Sequence, residues 1–241
     1  MPVDFLAIKK ETDYYTIRTC TVFCRPMRTF LSVICLCLSS LSNAQAWNDF
    51  KIQNGDLLFQ DLDCGALCDA IETVTPAVDG KHFSHIGLVY VVGDSVYVIE
   101  AIGKDVHVTS IIKFLERQKN STGSPKVIVG RLRPRFQQLN GLALGFALKQ
   151  IGKPYDDSFL YDNGKYYCSE LIYDAYKEAN NGYPLFNLYP MTFKDPSTGK
   201  TFPAWKDYYK KLGMKIPEGK QGCNPGSIAI NDNVLIVASF Y

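Results

Sequence analysis

The chain has 241 residues, 46% of them hydrophobic and 21% charged. This suits one globular domain with a real core and a small appendage. A net charge of +2 without a Lys/Arg run excludes the basic face that nucleic acid or an anionic membrane surface would require.

Taken in chain order, the first feature is a leader pattern beginning at Met27. Arg28 is basic, residues 30–38 are apolar, and Ala44 and Ala46 flank Gln45, which is the small-residue pattern a signal peptidase reads. The apolar run falls short of the ~20 residues a spanning helix needs. Residues 1–46 are therefore expected to be an upstream extension and a cleavable signal peptide starting at Met27. Residues 47–241 then form the mature domain, periplasmic or secreted, with no stable membrane span. Lipidation at Cys35 or Cys37 is disfavoured because bulky Ile34 and Leu36 precede them. Without the leader four cysteines remain: Cys64, Cys68, Cys168 and Cys223. In an oxidising compartment these suit one disulfide drawn from Cys64, Cys68 and Cys223, with the pairing left open, and one reactive thiol.

Residues 52–60 read as a turn into a first strand, and 61–73 as a helical connection with Cys64 and Cys68 on one face. Two β-rich runs, 84–92 and 96–101, flank Gly93-Asp94, a hairpin turn signal. A short strand at 106–109 follows. Ser110 caps a helix over 111–118, and 126–132 is a further strand. Helical spacing over 138–151 stops at Gly152-Lys153-Pro154. Residues 168–179 form a second helix with Leu171, Ile172, Ala175 and Tyr176 as its buried stripe, and 234–238 is a last strand. Residues 183–222, rich in Tyr and Pro, form either an added lobe or a cleft wall. The result is α+β: a mostly antiparallel sheet or small barrel packed against helices.

Cys168 opens a helix. There the positive end of the helix dipole and the unpaired N–H groups favour thiolate, the nucleophilic form. The same N–H groups can hold an oxyanion. His85 lies on a strand, and Glu100 ends the next strand among Val98, Ile99 and Ala101, where an acid is costly to bury unless paired. The Gly93-Asp94 turn falls nearly midway between them, so a hairpin brings His85 and Glu100 within reach of each other. Glu100 can then orient the imidazole that serves the thiol. His82 and His85 are three apart on a strand and point to opposite faces, so a metal is not expected. His107 alternates with Val106 and Val108 and reads as surface. Asp56 after Gly55 reads as a turn or strand-start residue.

The ordered set Gly55-Asp56-Leu57-Leu58-Phe59, Phe83-Ser84-His85-Ile86-Gly87-Leu88-Val89, Val98-Ile99-Glu100-Ala101, Gly152-Lys153-Pro154-Tyr155-Asp156 and Tyr167-Cys168-Ser169-Glu170-Leu171 resembles the YiiX-type permuted papain-like amidases of the NlpC-type cysteine peptidase superfamily. The resemblance spans residues 55 to 179. It implies a circularly permuted papain-like fold, with His85 ahead of Cys168. It also implies Cys168 as nucleophile, His85 as base and Glu100 as orienting acid. Tyr155 resembles a family tyrosine whose hydroxyl helps bind the oxyanion, and Tyr167 and Ser169 flank the nucleophile as further oxyanion or substrate-binding candidates. The expected activity is an exported cysteine hydrolase that cleaves a peptide or amino-acyl amide through a thioester, without cofactor or metal. A lipid-directed acyltransferase or lipase of the same fold is the first alternative, and it would require an apolar channel leading to Cys168. An inactive binding module is the second.

Overall fold

The computed structural model describes residues 50–241. The extension and signal peptide assigned to 1–46 lie outside these residues. Six strands make one antiparallel sheet: β1 (Leu57–Gln60), β2 (His85–Val92), β3 (Ser95–Ile102), β4 (Asp105–Ser110), β5 (Val127–Leu132) and β8 (Val234–Ser239). Their order is β4-β3-β2-β1-β5-β8, an open sheet rather than a closed small barrel. Two short strands, β6 (Tyr189–Pro190) and β7 (Gln221–Gly222), pair separately. The helices are α1 (Ala66–Thr73), α2 (Ile111–Glu116), α3 (Asn140–Lys149), α4 (Cys168–Ala179), α5 (Pro203–Lys211) and α6 (Pro225–Ala229).

Both faces of the sheet are covered. Leu57, Phe59, Ile86, Leu88 and Ile99 join Leu171, Ile172 and Tyr176 of α4 in the main core. Leu58, Val89, Val98 and Val129 pack against Ile111, Phe114 and Leu115 of α2. The inner strands therefore read as continuous apolar runs instead of alternating ones. Helix α4 has an amphipathic pattern and a Tyr167 N-cap residue in extended conformation. Tyr176, fully buried, donates its hydroxyl to Gly55 O at 3.1 Å and so ties α4 to the entry of β1. Ser110 caps α2 by accepting from Lys113 N, as its position suggests.

Asp56 does more than start a strand. It is buried and accepts a two-pronged ion pair from Arg131 on β5, Nε to Oδ1 at 2.7 Å and Nη2 to Oδ2 at 2.8 Å.

The β2–β3 register shows how the hairpin brings His85 and Glu100 together. Val92 faces Ser95 and Leu88 faces Ile99. Continued one residue, this register sets Glu100 against Gly87 and makes His85 its diagonal neighbour on the same face. Gly87 is what makes the diagonal workable, because a Cβ there would run into Val98 and press on Phe114. We expect Gly87→Ala to cost about 1–3 kcal/mol through this overpacking, read as a lowered denaturant midpoint with an unchanged m-value.

Residues 183–222 pack on the body of the domain. Phe193, Trp205 and Tyr209 form a small cluster with Ala70 of α1, so the stretch folds back onto the helix that opens the domain. Segments α5, α6, β6 and β7 are additions to the predicted elements. Residues 222–226, read as a turn, enter α6, which Asn224 caps by a reciprocal pair of bonds with Ser227.

Candidate active site

Cys168 is the first residue of α4, buried and lining a cavity. His85 is the first residue of β2 and is only 2% exposed. His85 Nε2 and Glu100 Oε2 lie 2.6 Å apart. A carboxylate can only accept, so Nε2 carries the proton. That leaves Nδ1 available to Cys168, whose influence helps to raise the imidazole's proton affinity. Burial alone would hold His85 neutral. Interaction with Cys168, the hydrogen bond to Glu100, and the negative charge both can carry, override burial and push it up to about 9.

Glu100 is fully buried, and its charge is held by a group the sequence did not announce. Arg117, just past α2, donates Nη2 to Glu100 Oε1 at 2.6 Å and Nη1 to Oε2 at 3.0 Å. Burial would raise this carboxyl, but the bonds from His85 and Arg117 outweigh it and hold the group far below the usual carboxylate range. Gln60, directly across from His85 on β1, completes the row. Its Oε1 accepts from Arg117 at 3.1 Å, and its Nε2 donates to Phe114 O at 2.8 Å. Arg117 lay in what read as the tail of a surface helix. Only its position at a helix end was visible, and no local pattern marks it as the partner of an acid in a distant strand.

The remaining expected site residues divide. Tyr155 lines the same cavity as Cys168. Burial, and then the charge of Cys168, raise its phenol well above the ordinary tyrosine value, so it stays a neutral donor. Tyr167 and Ser169 also border the cavity, but their polar atoms are engaged elsewhere. Tyr167 Oη accepts from Cys223 N at 3.2 Å, and Ser169 Oγ donates to Cys223 O at 3.0 Å. They brace the loop before α6, which leaves Ser169 its backbone N–H in the first turn of α4 as an oxyanion donor. The disulfide joins Cys64 to Cys68, across the start of α1. Cys223, a disulfide candidate on cysteine arithmetic, is instead a free buried thiol. Burial raises its pKa strongly and keeps it protonated, which makes it a poor nucleophile beside Cys168.

Glu170 was also missed as a structural residue. It is buried, accepts from Asp162 N at 2.9 Å, and is pushed up to about 8, chiefly by burial. It thereby ties the loop that leads into α4.

A helix-terminal thiol beside an imidazole on an antiparallel strand, with the strand preceding the helix in the chain, defines the permuted papain-like class. A family model described as "Permuted papain-like amidase enzyme, YaeF/YiiX, C92 family" matches residues 51–238, and the chain belongs to that family. The curated "Uncharacterized protein YiiX" of Escherichia coli (strain K12) is 29% identical over 136 residues, 56% of this chain and 61% of that relative. The chain thus spans less than two thirds of the length of the curated relative it matches. A solved structure titled "Crystal structure of metalloprotein yiiX from Escherichia coli O157:H7" shares 26% identity at a TM-score of 0.62, covering 79% of this chain and 98% of that one. That relative is titled a metalloprotein. Among the described residues here, no three His, Cys, Asp or Glu side chains gather as a metal would require, so none is assigned to a metal.

Two outcomes follow from the buried charges. Arg117→Met leaves an ionised carboxylate buried with half its partners, and should destabilise the fold by about 3 kcal/mol. Adding Glu100→Gln should recover part of that loss, and a double-mutant cycle by urea unfolding measures how much. His85 has its pKa raised from 6.5 to about 9 on folding. Its contribution to stability is therefore complete below pH 6.5 and disappears as pH rises through 9. Unfolding free energy should fall across this window, and fall less steeply in Glu100→Gln.

Proposed function

We propose that this protein is a cysteine hydrolase of amide bonds, with Cys168 as nucleophile, His85 as general base and acid, and Glu100 as the residue that orients and charges the imidazole. The observation that carries the reading is the buried row His85, Glu100 and Arg117, held by short hydrogen bonds, with the second nitrogen of His85 left for the Cys168 thiol at the start of α4. Such a row supports an imidazole that takes the thiol proton as the sulfur attacks. The thiolate attacks the carbonyl carbon. The N–H groups of the first turn of α4 and the Tyr155 hydroxyl supply donors for the tetrahedral oxyanion. His85 passes its proton to the leaving amine as the C–N bond breaks. Water then attacks the thioester, and His85 returns a proton to the sulfur. Arg117 and Gln60 act through Glu100 and are positioning residues.

We also propose export. The leader pattern at 27–46 supports it, and so does the Cys64–Cys68 disulfide, a bond that persists in oxidising compartments.

Cys168→Ala and His85→Asn should each lower kcat/KM on a cleavable amide by about a thousandfold or more, while leaving the fold intact. Wild-type protein incubated with an activated acyl substrate and quenched early should carry one acyl mass increment on Cys168, seen by intact and peptide mass spectrometry. Hydrolysis undiminished in Cys168→Ala would remove the proposed mechanism. For export, N-terminal sequencing of protein recovered outside the cytoplasm should begin at Trp47.

A further inference from the structure

Among the described residues two cysteines are free, and both open on one space. Cys168 and Cys223 line the same cavity, about 360 Å³ in volume, at the start of α4. No Asp, Glu, Lys, Arg or His lines it, and its wall is mainly apolar.

Cys223 is held against both neighbours of Cys168. On one side, Tyr167 Oη accepts from Cys223 N at 3.2 Å and lies 3.8 Å from Cys223 Sγ. On the other, Ser169 Oγ donates to Cys223 O at 3.0 Å. A disulfide needs Cα atoms roughly 4.4–6.8 Å apart. The segment that carries Cys223 is already bonded to the residues before and after the one it would have to meet. The two short bonds use the backbone of residue 223, so bracing this loop does not require a sulfur there.

The two thiols differ in a way that orders their chemistry. Cys168 stands at a helix terminus with His85 to take its proton, so it is the sulfur an oxidant meets in reactive form. Cys223 is kept protonated, chiefly by burial, with charge on Glu170 and Cys168 acting in the same direction. It is therefore preserved as a thiol while its neighbour reacts. Cys64 and Cys68 are sealed to each other and do not compete for Cys168. A neutral hydroperoxide gives up no charge solvation on entering an uncharged cavity.

We propose that Cys168 and Cys223 form a modification site for hydroperoxides, oxidised to a reversible disulfide that blocks the nucleophile and spares it from irreversible oxidation. This goes beyond the hydrolase reading and requires only that Cys168 be a reactive thiol. In the first step His85 takes the Cys168 proton as the sulfur attacks one oxygen of hydrogen peroxide. The S–O bond forms, the O–O bond breaks, and the departing oxygen leaves as water with the proton from His85. The sulfur is oxidised to a sulfenic acid and the peroxide is reduced. In the second step the Cys223 sulfur attacks the Cys168 sulfur. The S–S bond forms, the S–O bond breaks, and the hydroxyl leaves as water with the Cys223 proton. Two thiols and one peroxide thus give one disulfide and two waters, and a reducing dithiol restores both thiols. Without Cys223 the sulfenic acid meets further peroxide and advances to sulfinic acid, which thiols do not reduce.

The test treats the full chain with equimolar hydrogen peroxide, blocks the remaining thiols with N-ethylmaleimide, and maps the peptides without reduction. A peptide linked through Cys168 and Cys223 is expected, with loss of iodoacetamide labelling at Cys168 that dithiothreitol restores. Cys223→Ala and Cys223→Val keep the backbone bonds to Tyr167 and Ser169. In both, dimedone should trap a sulfenic acid on Cys168, and excess peroxide should abolish the labelling that dithiothreitol recovers in wild type. Sulfinic acid forming on Cys168 equally fast in wild type and both variants, with no linked peptide, overturns the inference. So does a disulfide from Cys168 to any other cysteine, or a Cys168 that peroxide leaves unmodified. The hydrolase reading is judged separately, by Cys168→Ala on an amide substrate, so the two can fail independently.

Discussion

The site depends on one buried carboxylate with two cationic neighbours. Glu100 has no contact with water, and an ionised acid in that position survives only if its charge is answered at short range. Arg117 answers it with two bonds on one side, and His85 with one at 2.6 Å on the other. The same contact fixes the tautomer of the imidazole, raises its proton affinity, and turns its second nitrogen toward Cys168. Arg117 is itself steadied by Gln60, whose amide is anchored on Phe114 O. Charge, tautomer and ring orientation are therefore set by a single chain of bonds across β1, β2, β3 and the end of α2.

The rest of the fold divides labour around that row. The sheet, covered on both faces, supplies a rigid platform. Helix α4 brings the thiol to it with the free N–H groups of its first turn. Material distant from the platform supplies the surroundings of the thiol. Helix α1, fastened at its start by Cys64–Cys68, meets the 183–222 stretch through Ala70, Phe193, Trp205 and Tyr209, and together they close an apolar space over Cys168. Chemistry and recognition are thus built from different parts of the chain. This separation lets one family platform carry different substrate walls.

Much of this was legible beforehand, for reasons that can be named. The bounds of α4 fall where an amphipathic stripe begins at Cys168 and ends at Ala179. The hairpin was readable from two β-rich runs around Gly93-Asp94, which also brought His85 and Glu100 together. The turn is centred between 93 and 94, so Glu100 falls opposite Gly87, two residues from His85. The pair still meets, since a shift of two keeps both side chains on one face. Helices α5 and α6 are short and set among Pro and Gly, so the apolar period of α5 and the Asn224-Pro225 start of α6 were easily passed over.

Local order determined what the sequence alone could establish: a thiol at a helix start, an imidazole and an acid on adjoining strands, and an ordered set of motifs specific enough to indicate a family. These signals arise between residues a few positions apart, or across one short turn, where backbone geometry fixes the outcome. Tertiary structure decided the pairing of Cys64 with Cys68 and the freedom of Cys223. It also decided the diversion of Tyr167 and Ser169 to brace a loop, the arrival of Arg117 at Glu100, and the uncharged wall beside Cys168. Apart from the local Cys64–Cys68 bond, each of these depends on contacts between segments far apart in the chain. Burial and neighbouring charge, the quantities that set a side chain's chemistry, exist there only once the chain has closed on itself.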